Sequence, residues 1–444
     1  MKIKSLLLPF TLLLTELMFS QSNPAITSWL QNTTVTGSYY VQGNSTAIPI
    51  TTLVNCQEVS YTANEAYIRA SGIPSYPTGP FLDGNPSQAT NQNAIYKIPL
   101  NPVQNSGTPT STTMGTIGIF INGVALFDYR DGVAWNPSTN ALCGGPGNPP
   151  CPGGPGATMS WNRDAILAEM DGFDCSKGHP AMGNYHHHQN PSAFDMDLNV
   201  VSSICNLYDA DGLYAIDSTQ HSPLIGFAFD GFPIYGAYGY LNTDGSGGIT
   251  RIQSSYALKT SRGGGNTPSE VTWPLGYFKE DYEYVNQSGP EYLDEHNGRF
   301  CITPEYPNGT YAYFATVDEH WNSKYPYVVA PTYYGQVIGG EVNTVPSGAA
   351  VYTSSIGVET IEIPEMKIFP NPSSELLTIQ VKGLLNHTLT VKITDLSGRV
   401  IQTKKIQAGQ TIGYFETDVL HNGVYFLEIS NGRKLVRKRV LIQH

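Results

Sequence analysis

Four of the ten histidines fall within ten residues, in the stretch Gly178-His179-Pro180-Ala181-Met182-Gly183-Asn184-Tyr185-His186-His187-His188. If Tyr185 to His188 is extended, His186 and His188 project to one face with Cα atoms roughly 6 to 7 Å apart, at about 3.3 Å per residue. Two imidazoles so placed can share an ion, whereas His187 faces the other way and reads as packing or surface. Neutral imidazole suits Zn, Cu, Ni or Fe, and a third ligand must come from another segment. His179, in the turn Gly178-His179-Pro180, and His221, just before an apolar run, are the nearest candidates. The expected ligands are therefore His179, His186, His188 and His221, around a divalent transition metal, Zn or Cu. The competing reading is that these histidines only hydrogen-bond within a polar core or line an aromatic groove.

Three carboxylates are candidates for acid/base work. Asp230 follows the apolar run Leu224 to Phe229 and meets Gly231-Phe232-Pro233, so it reads first as a turn cap, and second as a ligand or base. Asp294 and Glu295 stand beside His296, where they could exchange protons with a substrate or simply pair with Arg299. Glu305 reads as a loop carboxylate. The chain has no Gly-x-Ser-x-Gly elbow and no His-Glu-x-x-His helix, which removes the commonest serine-hydrolase and zinc-protease signatures. The Gly/Pro loop from Cys143 to Gly156 resembles a phosphate-binding loop in glycine count alone, with no Lys in it and no strand expected before it.

The elements that must hold these groups are mainly β. Gly (45), Pro (31) and Tyr (28) are abundant, and charged residues make up 14% of the chain, so amphipathic helices are scarce. Period-two strands are expected from Thr116 to Asn122 before an Asn122-Gly123 turn, and from Thr310 to Thr316 after Asn308-Gly309. Leu224 to Phe229 reads as a fully buried strand. One short helix is expected from Asn162 to Met170, capped by Asn162, with Gly172 just past its end. The expected organisation is a signal peptide at 1–20, a large β-rich body with long loops at 21–342, a linker at 343–365, and a small β-sandwich at 366–444.

Export is written at the N-terminus. Lys2 and Lys4 precede an apolar run from Leu6 to Leu14, too short for a membrane helix and interrupted by Pro9, with cleavage expected after Ser20. No other run is apolar enough to span a membrane. In an exported chain the six cysteines point to disulfides, and Cys143 with Cys151 is the pairing that spacing favours. From residue 366 onward 11 Lys and Arg stand against 5 Asp and Glu, a balance of +6 that leaves −18 for the rest of the chain. That acidic body argues against nucleic acid, which needs a basic stripe, and tolerates cations.

Two resemblances extend these readings. Ile368-Phe369-Pro370-Asn371-Pro372, Asp395-Leu396-Ser397-Gly398-Arg399-Val400, Gly423-Val424-Tyr425-Phe426-Leu427 and the basic close around Lys434 to Arg439 resemble the C-terminal sorting domain of type IX secretion substrates of Bacteroidetes-type bacteria. That resemblance implies a folded label in residues 366–444, read by the outer-membrane translocon, and a secreted or cell-surface destination reached through the periplasm. Residues 60–335 resemble the YHYH-domain family, through Ile117 to Val124, Cys175 to Pro180, His221 to Gly236, Leu293 to Arg299 and Thr303 to Tyr311. The family's Tyr-His-Tyr-His appears here as Tyr185-His186-His187-His188, which keeps both histidines and replaces one Tyr by His187. The resemblance implies no particular reaction. The function expected from the residues is metal binding, with metal-dependent hydrolysis of an extracellular polymer as its enzymatic form. The alternatives are a glycan-binding or adhesion module using Trp273, Tyr277, Tyr282, Tyr284 and Tyr292, or a structural matrix protein.

Overall fold

The structure is a computed structural model that describes residues 23–83, 87–154, 159–193, 203–208, 212–353, 366–382, 388–395, 399–407, 410–430 and 435–444. The expected signal peptide, residues 354–365 of the expected linker, and Leu396 to Gly398 and Lys434 of the C-terminal motif lie outside them, whereas Ala350–Val351, expected in the linker, is a strand of the first unit. The chain divides into two compact units, Met1–Tyr352 and Thr353–His444.

The first unit is organised around an eight-stranded sheet. Its strands in chain order are β1 (Thr116–Phe120), β2 (Ala125–Phe127), β3 (His179–Ala181), β4 (Asn184–His187), β5 (Leu224–Ala228), β6 (Pro233–Tyr235), β7 (Gly298–Cys301) and β8 (Thr310–Phe314). Across the sheet they lie in the order β3-β4-β2-β1-β5-β6-β8-β7. The pairs β4–β2 and β6–β8 are parallel and the others antiparallel. All five residues of β5 are buried. This central place is why its sequence is continuously apolar rather than alternating. The expected turns also form: Gly123 donates its N–H to the Phe120 carbonyl at 2.8 Å, and Gly231 donates to that of Ala228 at 2.9 Å.

A second, antiparallel sheet runs in the order Gly340–Val342, Ala94–Pro99, Glu65–Ala70, Cys56–Tyr61, Ala350–Val351. Its Val59, Ile68, Tyr96 and Ile98 share one apolar core with Ile117, Phe120, Phe227 and Phe314 of the first sheet. Each such side chain contributes roughly 1.5–3 kcal/mol on leaving water. The many tyrosines combine ring burial with a polar tip that needs a partner. Tyr327 donates to Asp164 at 2.6 Å, Tyr313 to Asp230 at 2.5 Å and Tyr311 to Asp294 at 2.8 Å.

The expected helix from Asn162 to Met170 needs correction. Asn162–Asp164 is a strand paired with Arg130–Asn136, and the helix is only Ala165–Ala168, followed by a 3-10 turn at Met170–Gly172. The cap is Asp164, whose side chain accepts the Ile166 N–H at 2.9 Å, while the Asn162 amide donates instead to the Met159 carbonyl and to Glu280. Disulfides join Cys143 to Cys151, as expected, and Cys175 to Cys205. Cys56 and Cys301 are free thiols, both buried.

The second unit contains a three-stranded sheet (Met366–Phe369, Leu376–Val381, Ile412–Glu416) and a four-stranded one (Val400–Ile406, Leu389–Thr394, Gly423–Ser430, Leu435–Ile442). Leu377 and Ile379 of the former share an apolar core with Leu389, Val391, Ile393, Leu427 and Ile429 of the latter. In Leu389–Thr394, Leu389, Val391 and Ile393 are buried while Thr390 and Lys392 are half-buried, and Thr394 is buried as well. Among the described residues no helix is long and apolar enough to cross a membrane.

Candidate metal centre

The histidine-rich stretch folds as a hairpin. Strands β3 and β4 pair antiparallel with His179 opposite His186, joined by Met182 and Gly183, whose φ angles are 49° and 89°. Positive φ at both central residues is what a two-residue hairpin turn of type I′ requires. Glycine is further fixed at 183 because a Cβ there would stand 2.3 Å from Thr90 Oγ1. Cross-strand pairing places His179 beside His186, and the period of two places His188 on the same face. Strand β4 runs parallel to β2 with His186 opposite Ala125, so Phe127 and Asp128 run past the same histidines.

The three ring nitrogens converge. His186 Nε2 lies 3.1 Å from His188 Nε2, which lies 3.4 Å from His179 Nε2. The ligand atoms that the three residues offer all lie within 4.8 Å of one another. His186 Nδ1 is 2.9 Å from the Asn184 carbonyl and His188 Nδ1 is 2.6 Å from that of Asp128. A carbonyl only accepts, so both Nδ1 atoms carry the proton and both Nε2 atoms present a lone pair to the cluster. Phe127 stacks on His186 at 3.9 Å between centroids, and Phe173 meets His179 edge-on at 5.0 Å.

A fourth group, which sequence reading did not single out, lies against two of the three histidines. Glu169, the residue just past Ala165–Ala168, places Oε2 at 3.2 Å from His179 Nε2 and 3.3 Å from His188 Nε2. Its side chain retains 26% of its exposure, against 8% and 3% for His179 and His188. Burial by itself would raise the Glu169 carboxyl, but His179 and His188, which donate to it only when protonated, hold it far below the usual carboxylate range. Burial drives His186 well down, helped by the two neighbouring imidazoles. Burial also opposes charge on His188, yet the hydrogen bond and charge of Glu169 outweigh it and raise that residue.

His187 points away from the cluster, as its place in the strand predicts, and is buried rather than at the surface. Its Nε2 meets Tyr76 Oη at 2.9 Å and its Nδ1 lies 3.0 Å from the Lys177 carbonyl, and burial pushes its pKa down to about 3. Tyr185 donates to Asp174, which also accepts the N–H groups of Gly79, Ser176 and Gly178. Burial pushes the Asp174 carboxyl up to about 7 against those donors. Together these contacts tie the loop before β3 to the hairpin.

The other expected site residues lie apart. His221 does not join the cluster: its ring packs against Tyr235 and Tyr240 at 5.1 and 4.9 Å, and its Nδ1 lies 2.7 Å from the Ser222 carbonyl. Asp230 accepts from Phe232 N at 3.3 Å, Gly335 N at 2.8 Å and Tyr313 Oη, a turn cap with a second role as a tether. Asp294 accepts from His296 N, Gly298 N and Tyr311 Oη, so it too closes a turn. The Glu295 side chain is 60% exposed, 4.0 Å from His296 Nε2. Arg299 pairs with neither acid; it donates to the carbonyls of Tyr240, Leu241 and Pro290 and lies over Phe314. Glu305 accepts from Tyr235 at 2.8 Å. Four of the five aromatics considered for glycan binding are engaged with other rings: Tyr282 stacks on Tyr325 at 4.3 Å, Tyr284 meets Tyr256, and Trp273 and Tyr277 meet Phe278.

Comparison with known families yields two matches. The model described as YHYH protein matches residues 95–326, a range that contains the hairpin, Glu169, His221 and the three candidate catalytic acids. The model described as secretion system C-terminal sorting domain matches residues 367–443. No curated protein matches the chain.

Proposed function

The chain belongs to the YHYH protein family and carries a C-terminal sorting domain for export by type IX secretion to the cell surface or extracellular space, and from that premise we propose that its body is a metal-binding module. His179, His186 and His188 hold a transition ion, zinc or copper, through their Nε2 atoms. The observation that carries this reading is the mutual approach of Nε2 atoms at 3.1 and 3.4 Å, with the Nδ1 protons of His186 and His188 already committed to carbonyls. Zn–N bonds of about 2.0–2.1 Å in a tetrahedron put neighbouring donors about 3.3–3.4 Å apart, a spacing near that of the His186–His188 and His188–His179 pairs, with all three ligand atoms within 4.8 Å of one another. A proton is the competitor, and His188 is the residue that Glu169 would help to charge. One proton, however, bridges a single pair of acceptors, and more than two converge here. The carbonyls behind His186 and His188 are the outer partners that orient metal-bound imidazoles.

An ion held this way supplies Lewis acidity when a coordination position opens to solvent, which is the condition for hydrolysis of an extracellular polymer. The glycan-binding alternative keeps five half-exposed aromatics, four of them in contact with other rings of the body. The test is elemental analysis of protein purified without a His tag, with thermal unfolding in chelator. One equivalent of zinc or copper per chain is expected, lost in His186→Ala plus His188→Ala, with a lower unfolding temperature after chelation. Substoichiometric metal together with chelator-insensitive melting would sink the proposal.

A further inference from the structure

We infer that Glu169 is the fourth ligand of this centre, and that its corner is the single position an exogenous ligand can take, with anionic oxygen donors as the class that fits. The inference rests on the metal-binding reading above and adds the coordination state to it. One oxygen, Oε2, stands nearly equidistant from two Nε2 atoms, at 3.2 and 3.3 Å, the separation between donors on adjacent corners of a tetrahedron. Among the described residues that oxygen is buried and has no hydrogen-bond partner. His188 has already placed its Nδ1 proton on the Asp128 carbonyl, so a neutral His188 has nothing to donate to Oε2; two lone-pair carriers and a carboxylate oxygen share one small space. A cation bound by all of them removes the conflict.

The four donors are not equivalent. The histidines stand on a paired hairpin braced by Phe127, Phe173 and two carbonyls, whereas Glu169 hangs from the end of the four-residue helix Ala165–Ala168 and keeps the largest exposure of the set. Displacing a histidine requires opening the sheet; displacing Glu169 requires turning one side chain toward water. The resting centre is therefore closed, with three imidazoles and one carboxylate around the ion. A carboxylate or similar small oxyanion from outside replaces like with like.

The experiment loads the full-length chain with Co(II) and follows its visible absorption, with formate as the probe. The wild type should show the intense bands of a four-coordinate site and no change at the formate concentrations that restore the variant. Glu169→Ala should bind Co(II) at least about 100-fold more weakly, the upper end of what losing a mere outer partner of a ligand costs, and formate should restore both affinity and band intensity. Glu169→Gln, which keeps the shape and removes the charge, serves if the alanine variant fails to fold, and should also weaken binding. Wild-type bands that shift at the formate concentrations that affect the variant would overturn the inference, as would a variant with wild-type affinity and spectrum. Failure of the wild type to take up any Co(II) is a different result, and brings down the metal-binding reading itself.

Discussion

A buried carboxylate surrounded by donors has two opposing pulls on its proton, and Asp230 shows which one wins. Burial raises its pKa to about 6 from 3.8, although Tyr313, Gly335 and Phe232 all donate to it. A folded-state pKa above the unfolded value means that the native state binds the proton more tightly. The associated stability is fully present below about pH 4 and is lost as pH rises through about 6, a change on the order of 2–3 kcal/mol. Asp230→Asn should remove that component. Urea unfolding in chelator at pH 4.5 and 7.5 should show a larger drop for the wild type than for the variant; equal drops would refute it. The residue scale also separates what was readable in the sequence from what was not. His186 and His188 share a face because strand periodicity is local, and His179 follows once a two-residue turn is granted. His221 stands beside a buried strand along the chain, which says nothing about which ring it meets. Glu169 left no mark, because its role depends on where a four-residue helix stops.

At the scale of elements, the hairpin β3–β4 determines the geometry of the centre, and its turn is not optimal. Met182 occupies the left-handed region at φ 49° with a side chain 98% exposed, so it incurs the conformational cost without any burial in return. Asn is tolerated there far better than Met, and Asn-Gly is the preferred type I′ pair. Met182→Asn should raise the unfolding free energy by about 0.5–1 kcal/mol with metal content unchanged, measured by denaturant unfolding; a loss of stability would contradict the turn assignment. Strands were the most legible elements. Thr116–Phe120, Leu224–Ala228 and Thr310–Phe314 lie within two residues of expectation, but the first and last, read as alternating, are buried on both faces from their second residue on, because sheet neighbours and the second sheet cover them. The start of the helix is not legible locally, because Asn162 and Asp164 are both good caps and pairing with Arg130–Asn136 recruits the first residues into a sheet. The apposition of Tyr donors with buried Asp acceptors, spaced up to 163 residues apart, has no local signature at all.

At the scale of the whole molecule, sequence told destination better than task. The basic tail and its motifs stand in one compact unit, and the acidic body in another with its own core and both disulfides. One arrangement of sulfur in that body bears on its life outside the cell. Cys56 and Cys301 lie buried beside a chain that also carries Cys143–Cys151 and Cys175–Cys205, and burial holds the Cys56 thiol far from ionisation. While the body is folded, neither thiol can attack a disulfide. Once it opens, thiolates and disulfides meet in one flexible chain and exchange into pairings from which the native fold is not recovered. Unfolding is then a one-way passage, and endurance is governed by how seldom the body opens rather than by its equilibrium stability. An apparent melting temperature that rises with scan rate in the wild type, and ceases to do so in Cys56→Ser plus Cys301→Ser, is the expected signature; scan-rate independence in the wild type would count against it.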